Sequence, residues 1–108
     1  MITFNDFEKV DMRIGKVVTV EPSLARKPTY RFTLDFGPEI GIKKSCAALT
    51  NYPAQELLGQ YVVAVVNFPP KKMGPETSEV LILGVPSRDG QVIRLMPERG
   101  VEPGVRVF

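Results

Sequence analysis

The side chains best suited to chemistry in this 108-residue sequence are cations that stand in adjacent pairs. The pairs are Arg26 with Lys27, Lys43 with Lys44, and Lys71 with Lys72. Ammonium and guanidinium groups neutralise phosphates, so RNA binding through them would weaken steeply with salt. The net charge is only +2 and acids are interleaved among the cations, so an ordinary solvated surface is the competing interpretation. The sequence permits a local basic patch and excludes a histone-like binder.

Catalytic residue types are scarce. The chain has no histidine, which removes the commonest general base, the triads that depend on it and most zinc sites. Its twelve acids are scattered rather than paired. Its one cysteine, Cys46, lies in an apolar segment, which indicates a small buried hydrophobe more than a reactive thiol. We therefore predict a binding protein and not an enzyme, and assign no catalytic residue, cofactor or metal site.

The location expected for this chain is the cytoplasm. A single cysteine allows no intrachain disulfide. The first ten residues, MITFNDFEKV, carry acids where a signal peptide would carry positive charge. The longest unbroken apolar stretch, from Tyr61 to Val66, is far below membrane-spanning length.

The elements that must position the cations are predicted to be short strands. In the second strand, Tyr30, Phe32, Leu34 and Phe36 alternate with Arg31, Thr33 and Asp35. Arg31 should then share an outer face with either Lys43 or Lys44 of the third strand. In the first strand, Met12, Ile14, Val18 and Val20 share one parity. Gly15 interrupts that strand and is expected to mark a bulge or a sharp bend.

The order of elements predicts an all-β fold. A short amphipathic helix near Phe4 and Phe7 is followed by three strands, a helix from Pro53 to Leu58, and further strands that include EVLILGV, VIRLM and the closing VEPGVRVF. This order is typical of an OB-fold, a five-stranded Greek-key barrel, here with short helices and extra terminal strands. A β-sandwich is the alternative, and the helix between strands argues against it. We expect residues 1–108 to form one domain.

One segment stands out between two apolar strands: residues 67–84, NFPPKKMGPETSEVLILG. Its prolines fix backbone angles, and a stiff segment loses less entropy on binding, which favours a loop that displays Lys71 and Lys72. Shielding of strand ends by the prolines is the alternative. Met73 is either a flexible apolar contact or a plug beneath the loop. Phe68 and Tyr52 flank loops and are candidates to stack on bases, whereas the aromatic residues of the second strand belong to the core.

The same segment resembles the pattern of the tRNA-binding OB domain found beside some aminoacyl-tRNA synthetases. The matching positions are Asn67, Pro70, Lys71, Lys72, Met73 and Ser78. Two other segments, VDMRIGKVVTVEP and PAQELLG, also fit. Within that family, the chain is similar to the CsaA-type proteins, which are stand-alone bacterial members described as secretion-related chaperones. This similarity covers the segments EPSLARKPTYRFTLDFGPEIGIKKS and VVAVVNFPPKKMGP. The resemblance covers almost the whole chain.

The resemblance implies a cytoplasmic OB-fold homodimer that acts as a chaperone for protein export. Its implied partners are unfolded export precursors and the translocation motor SecA; the alternative is a structure-specific tRNA-binding protein. The implied RNA- or peptide-binding residues are Arg26, Lys27, Arg31, Lys43, Lys44, Asn67, Lys71, Lys72, Met73 and Ser78. Phe68 is a further candidate, because an apolar groove near Phe68 and Met73, rimmed by lysines, would accept extended segments. The implied dimer interface uses Phe4, Phe7, Val107 and Phe108, which an isolated barrel would cover poorly.

Overall fold

Short strands dominate the computed structural model, which describes residues 1–24 and 28–108. Its elements are α1 (Phe4–Glu8), β1 (Met12–Pro22), β2 (Tyr30–Asp35), α2 (Gly37–Ile40), β3 (Ile42–Ala47), α3 (Ala54–Leu57), β4 (Tyr61–Val65), β5 (Lys71–Met73), β6 (Glu76–Ser78), β7 (Leu81–Ile82), β8 (Gly84–Pro86) and β9 (Val92–Arg94). None of the helices in the described ranges has the length and apolar character needed to cross a membrane.

The main sheet contains five antiparallel strands in the order β3-β2-β1-β4-β7. Its two edge strands meet, because the N–H of Glu79 donates to the Lys44 carbonyl at 2.8 Å. At the same seam the Ser45 hydroxyl donates to the Val80 carbonyl, also at 2.8 Å. The sheet is thus a nearly closed barrel, and the predicted OB-fold is confirmed.

The core fills the barrel from alternating positions of β2. Phe32, Leu34 and Phe36 are fully buried, as the period of two in the sequence predicts. They pack with residues from β1, β4, α3 and the segment before α3. Because these inward side chains fix the face of β2, the polar residues between them point outward.

The first strand departs from the sequence prediction. Its register against β2 shifts between Val17 and Thr19, so the irregularity lies there and not at Gly15. As a result Val17 is buried while Val18, expected to share a face with Ile14, is half exposed. A glycine is needed at position 15 for a different reason, because a Cβ there would lie 2.8 Å from the Phe36 ring. The missing side chain leaves room for a core aromatic ring.

Two other predicted elements differ in extent. The segment EVLILGV forms two short strands, β7 and β8, and β8 pairs with β9 in a separate hairpin. The chain end makes a single bridge between Arg13 and Arg106 instead of a closing strand. Helix α1 lies where the amphipathic pattern predicts a helix, and it begins after Thr3, which forms a capping box with Asp6.

Candidate functional site

The proline-rich segment folds as a two-stranded hairpin. Strands β5 and β6 pair Lys71 with Ser78, Lys72 with Thr77, and Met73 with Glu76, which leaves Gly74 and Pro75 as the turn. Directly opposite residues share a face, and successive residues alternate between faces. The hairpin therefore displays its two lysines on opposite faces, with Lys71 on the same face as Met73.

A pocket of about 390 Å³ lies where this hairpin meets the barrel. Its apolar lining comes from Phe68, Pro69, Met73, Val80 and Leu81. Phe68 and Leu81 are each about half exposed, so apolar surface faces solvent in a concave setting. Lys71 and Glu79 also line this pocket, which we call the groove.

Hydrogen bonds of serine hydroxyls connect the hairpin side of the groove to the barrel. The Ser78 Oγ donates to the Val80 carbonyl at 2.9 Å and accepts the Cys46 N–H at 3.3 Å. It also lies 3.1 Å from the Ser45 hydroxyl oxygen. Because its hydrogen bonds are directed to the barrel seam, Ser78 supports the groove wall.

Arg31 is committed to two carboxylates. One of its terminal nitrogens lies 3.2 Å from Glu76 Oε1 and the other lies 3.1 Å from Glu21 Oε2. Glu76 is only 6% exposed, whereas the Glu21 side chain is 56% exposed. Two hydrogen bonds raise the pKa of Arg31 above its ordinary value, and the one to Glu21 has a larger effect than the one to Glu76. The guanidinium predicted to meet phosphates is already paired with acids.

Cys46 lines the groove and is half buried. Its Sγ lies 3.8 Å from Glu76 Oε2. Burial raises the pKa of the Cys46 thiol, and the neighbouring Glu76 carboxylate adds to that increase. The thiol is therefore protonated at neutral pH and behaves as a small apolar group, in line with the interpretation of the sequence.

The lysines have a different environment from Arg31. In the β2–β3 register Lys44 is opposite Thr33 and faces outward like Arg31, whereas Lys43 is opposite the core residue Leu34. Within residues 1–24 and 28–108, no ion pair involves Lys43, Lys44, Lys71 or Lys72. Arg26 and Lys27 lie outside the described residues. Unpaired ammonium groups thus occur on the hairpin and on β3.

Asn67 and Tyr52 have structural contacts. The Asn67 side chain accepts the N–H of Asp11 at 3.0 Å and donates to the Lys9 carbonyl at 2.8 Å, which ties the end of β4 to the start of β1. Tyr52 packs against the core, and the Arg94 guanidinium lies 5.1 Å from its ring centroid. Its ring is therefore occupied and not free to stack on a base as the sequence suggested.

Helix α1 and the chain end form a second exposed apolar surface. Arg106 donates to the Glu8 carbonyl at 2.6 Å, and the Val107 N–H donates to the Met12 carbonyl at 2.9 Å. Phe4 and Phe108 are exposed, while Phe7 and Val107 are partly covered. The structure thus joins the two segments that carry the residues predicted for a dimer interface.

Sequence reasoning missed the acids around Arg31 and part of the groove lining. Glu21 and Glu76 are 10 and 45 residues away from Arg31 in the chain. No local pattern predicts such contacts, because they depend on how the hairpin docks on the barrel. Pro69, Val80 and Leu81 were seen only as parts of rigid or apolar segments, and their convergence at one groove also follows from docking.

A nearly closed OB barrel with a mainly apolar groove defines a binding domain of the OB-fold class. Residues 12–106 match the family described as "Putative tRNA binding domain". The crystal structure of the CsaA chaperone protein from Picrophilus torridus is 46% identical, has a TM-score of 0.94 and is covered in full, as is this chain. The CsaA chaperone from Bacillus anthracis str. Ames is 41% identical with a TM-score of 0.93, over 100% of this chain and 99% of that one.

A third relative shows how the same domain is used within a larger chain. Methionine--tRNA ligase of Methanosarcina acetivorans is 33% identical over 98% of this chain. The match spans only 15% of the length of that ligase. This protein belongs to the putative tRNA-binding domain family and is a CsaA-type member of it.

Proposed function

We propose that this protein is a CsaA-like chaperone for protein export that binds unfolded precursor polypeptides in the groove. The observation that carries the proposal is the groove's lining, in which Phe68, Met73 and Leu81 offer apolar surface beside the β5–β6 hairpin. An unfolded segment presents apolar side chains at intervals, and burying them there removes apolar area from water. The two solved relatives named CsaA chaperone support this assignment. The proposal implies export precursors and SecA as cytoplasmic partners.

Salt dependence tests this function. We expect the affinity for an unfolded polypeptide to change little between low and physiological salt, because apolar burial dominates the contact. Binding of tRNA through several phosphates would weaken by orders of magnitude over the same range. Fluorescence anisotropy with a labelled unfolded polypeptide and with labelled tRNA measures both. A polypeptide affinity that collapses with salt would contradict an apolar groove as the binding site.

A second candidate function is tRNA binding, and one observation favours it. Lys43, Lys44, Lys71 and Lys72 make no ion pairs among the described residues, so their charges are available to phosphates. The family to which the chain belongs supports the same candidate. The two ligands would then share the hairpin, with the apolar groove used by polypeptide and the lysines by RNA.

Replacing both hairpin lysines tests the tRNA candidate. We expect Lys71→Ala with Lys72→Ala to weaken tRNA binding about tenfold at low salt, because up to two phosphate contacts are lost. Folding should be intact, since both side chains are exposed. The matched control is Arg88→Ala with Arg99→Ala, which removes the same charge from exposed positions outside the groove lining. Equal tRNA affinities for the two double variants would remove the hairpin from the RNA site.

The proposed chaperone acts as a homodimer paired through α1 and the chain end. The rings of Phe4 and Phe108 are exposed. They belong to α1 and to the chain end, which the hydrogen bond from Arg106 to the Glu8 carbonyl connects. A symmetric contact would place these rings against their copies and cover both. Self-association of this kind also brings two grooves to one particle, which raises the effective concentration for a long unfolded chain.

A further inference from the structure

The carboxylate of Glu76 lies behind the groove wall that the hairpin forms. Glu76 follows the hairpin turn, opposite Met73, and its carboxylate points to the barrel where it meets Arg31 and the Cys46 thiol. Cys46 lines the groove and is directly opposite Arg31 in the β2–β3 register. Cys46 therefore lies between the groove and the ion pairs of Arg31.

Around Arg31 the charges do not balance, although Lys71 supplies one positive charge elsewhere in the groove lining. One guanidinium, that of Arg31, faces the two carboxylates of Glu21 and Glu76. A third carboxylate, Glu79, lines the groove and accepts the N–H of Lys44 at 2.9 Å. A phosphate that approached Arg31 would have to displace a carboxylate already hydrogen-bonded to it, and would be repelled by the others within a Debye length. An extended polypeptide backbone carries no net charge and meets no such repulsion.

We infer that Glu21 and Glu76 are specificity-determining residues that occupy Arg31 beside the groove. A polyanion is thereby denied contact with this guanidinium, so that the groove takes extended polypeptide in preference to RNA. This inference rests on the proposed function. Glu76 does so from a buried position, where Ser23 also donates to it at 3.3 Å. Glu21 does so from the exposed side of the guanidinium. Removing either charge makes part of Arg31 available to a phosphate.

The test compares Glu21→Gln with Glu98→Gln. Both replacements remove one exposed negative charge that is paired with an arginine at 3.1 or 3.2 Å, but Glu98 pairs with Arg99 and is not part of the groove lining. We expect Glu21→Gln to tighten binding of a labelled single-stranded RNA about threefold at low salt and Glu98→Gln to have a much smaller effect. The slope of log affinity against log salt should steepen by about 0.7 in Glu21→Gln, because Arg31 gains a phosphate contact.

A labelled, uncharged peptide with apolar side chains, measured in parallel, separates the two proposals. We expect its affinity to be the same in wild type and Glu21→Gln. Equal RNA affinities and equal salt slopes for the two variants would overturn the role of Glu21, whatever the peptide does. A wild-type protein that does not bind the peptide would instead contradict the proposed function. Glu76→Gln, if folded by circular dichroism, should tighten RNA binding like Glu21→Gln, and unchanged RNA affinity in a folded Glu76→Gln would overturn the role of Glu76.

Discussion

Gly104→Ala is expected to lower the free energy of unfolding by about 3 kcal/mol or more. Gly104 has a φ of 93°, a left-handed conformation that side chains with a Cβ rarely adopt. The added methyl group would also overlap the Phe36 carbonyl oxygen. Since the Gly104 N–H donates to the Ile14 carbonyl at 2.7 Å, the turn cannot move away without losing a hydrogen bond to β1.

Urea denaturation of Gly104→Ala and of Gly90→Ala separates overlap from backbone strain. Gly90 has a φ of 84°, close to that of Gly104, but a Cβ there would have no atom within 4 Å. We therefore expect Gly90→Ala to cost only about 1 kcal/mol, the strain of the φ value alone. Equal losses for the two variants would contradict this prediction, because the overlap with the Phe36 carbonyl would then add nothing to the strain of the φ value.

Local patterns account for the parts of the fold that the sequence predicted well. The buried face of β2 follows from strict alternation over Tyr30–Asp35, and the start of α1 follows from a capping box between Thr3 and Asp6, three positions apart. Both depend on neighbours in the chain, so the sequence contains the information directly. The OB-fold followed from the order of these elements together with the family resemblance.

The irregular part of β1 had no such local cause. The register shift between Val17 and Thr19 exposes Val18, a residue whose type suits either face of a strand. Gly15 attracted attention as the conformationally free residue, but its role is to make room for Phe36, more than 20 positions away. A glycine required by a distant side chain looks the same in the sequence as one required by a bulge.

The candidate site was predictable in location but not in its charges. The proline-rich segment borders a groove, and Phe68, Lys71 and Met73 line it. The paired lysines looked equivalent, yet hairpin register places only Lys71 on the groove face. Arg31 looked free, and only the docking of Glu76 from the hairpin revealed its ion pairs. The periodicity of a sequence does not reveal side-chain partners that only the docking of distant segments brings together.

Phe68→Ser combined with Met73→Ser is expected to weaken binding of an unfolded polypeptide about 30-fold. Each side chain contributes part of its apolar area to the groove, and losing about 1 kcal/mol of apolar contact from each gives about 2 kcal/mol in total. Phe68 is 53% exposed before binding, so its replacement removes binding surface without opening a cavity in the core. The barrel should therefore be as stable as in the wild type.

Leu58→Ser is the matched control for surface hydrophobicity. Leu58 is 49% exposed, close to the value for Phe68, and it follows α3 outside the groove lining. A general loss of surface apolar area would weaken polypeptide binding in both proteins. Binding at the groove predicts an effect only in the variant with Phe68 and Met73 replaced.

The most direct test of the groove as the polypeptide site is the dissociation constant of one labelled unfolded polypeptide for these three proteins, measured by fluorescence anisotropy at physiological salt. The account predicts that the wild type and Leu58→Ser bind with the same affinity, and that the variant with both groove residues replaced binds about 30-fold more weakly. Equal affinities for all three proteins would contradict it, since the polypeptide would then be bound somewhere other than the groove.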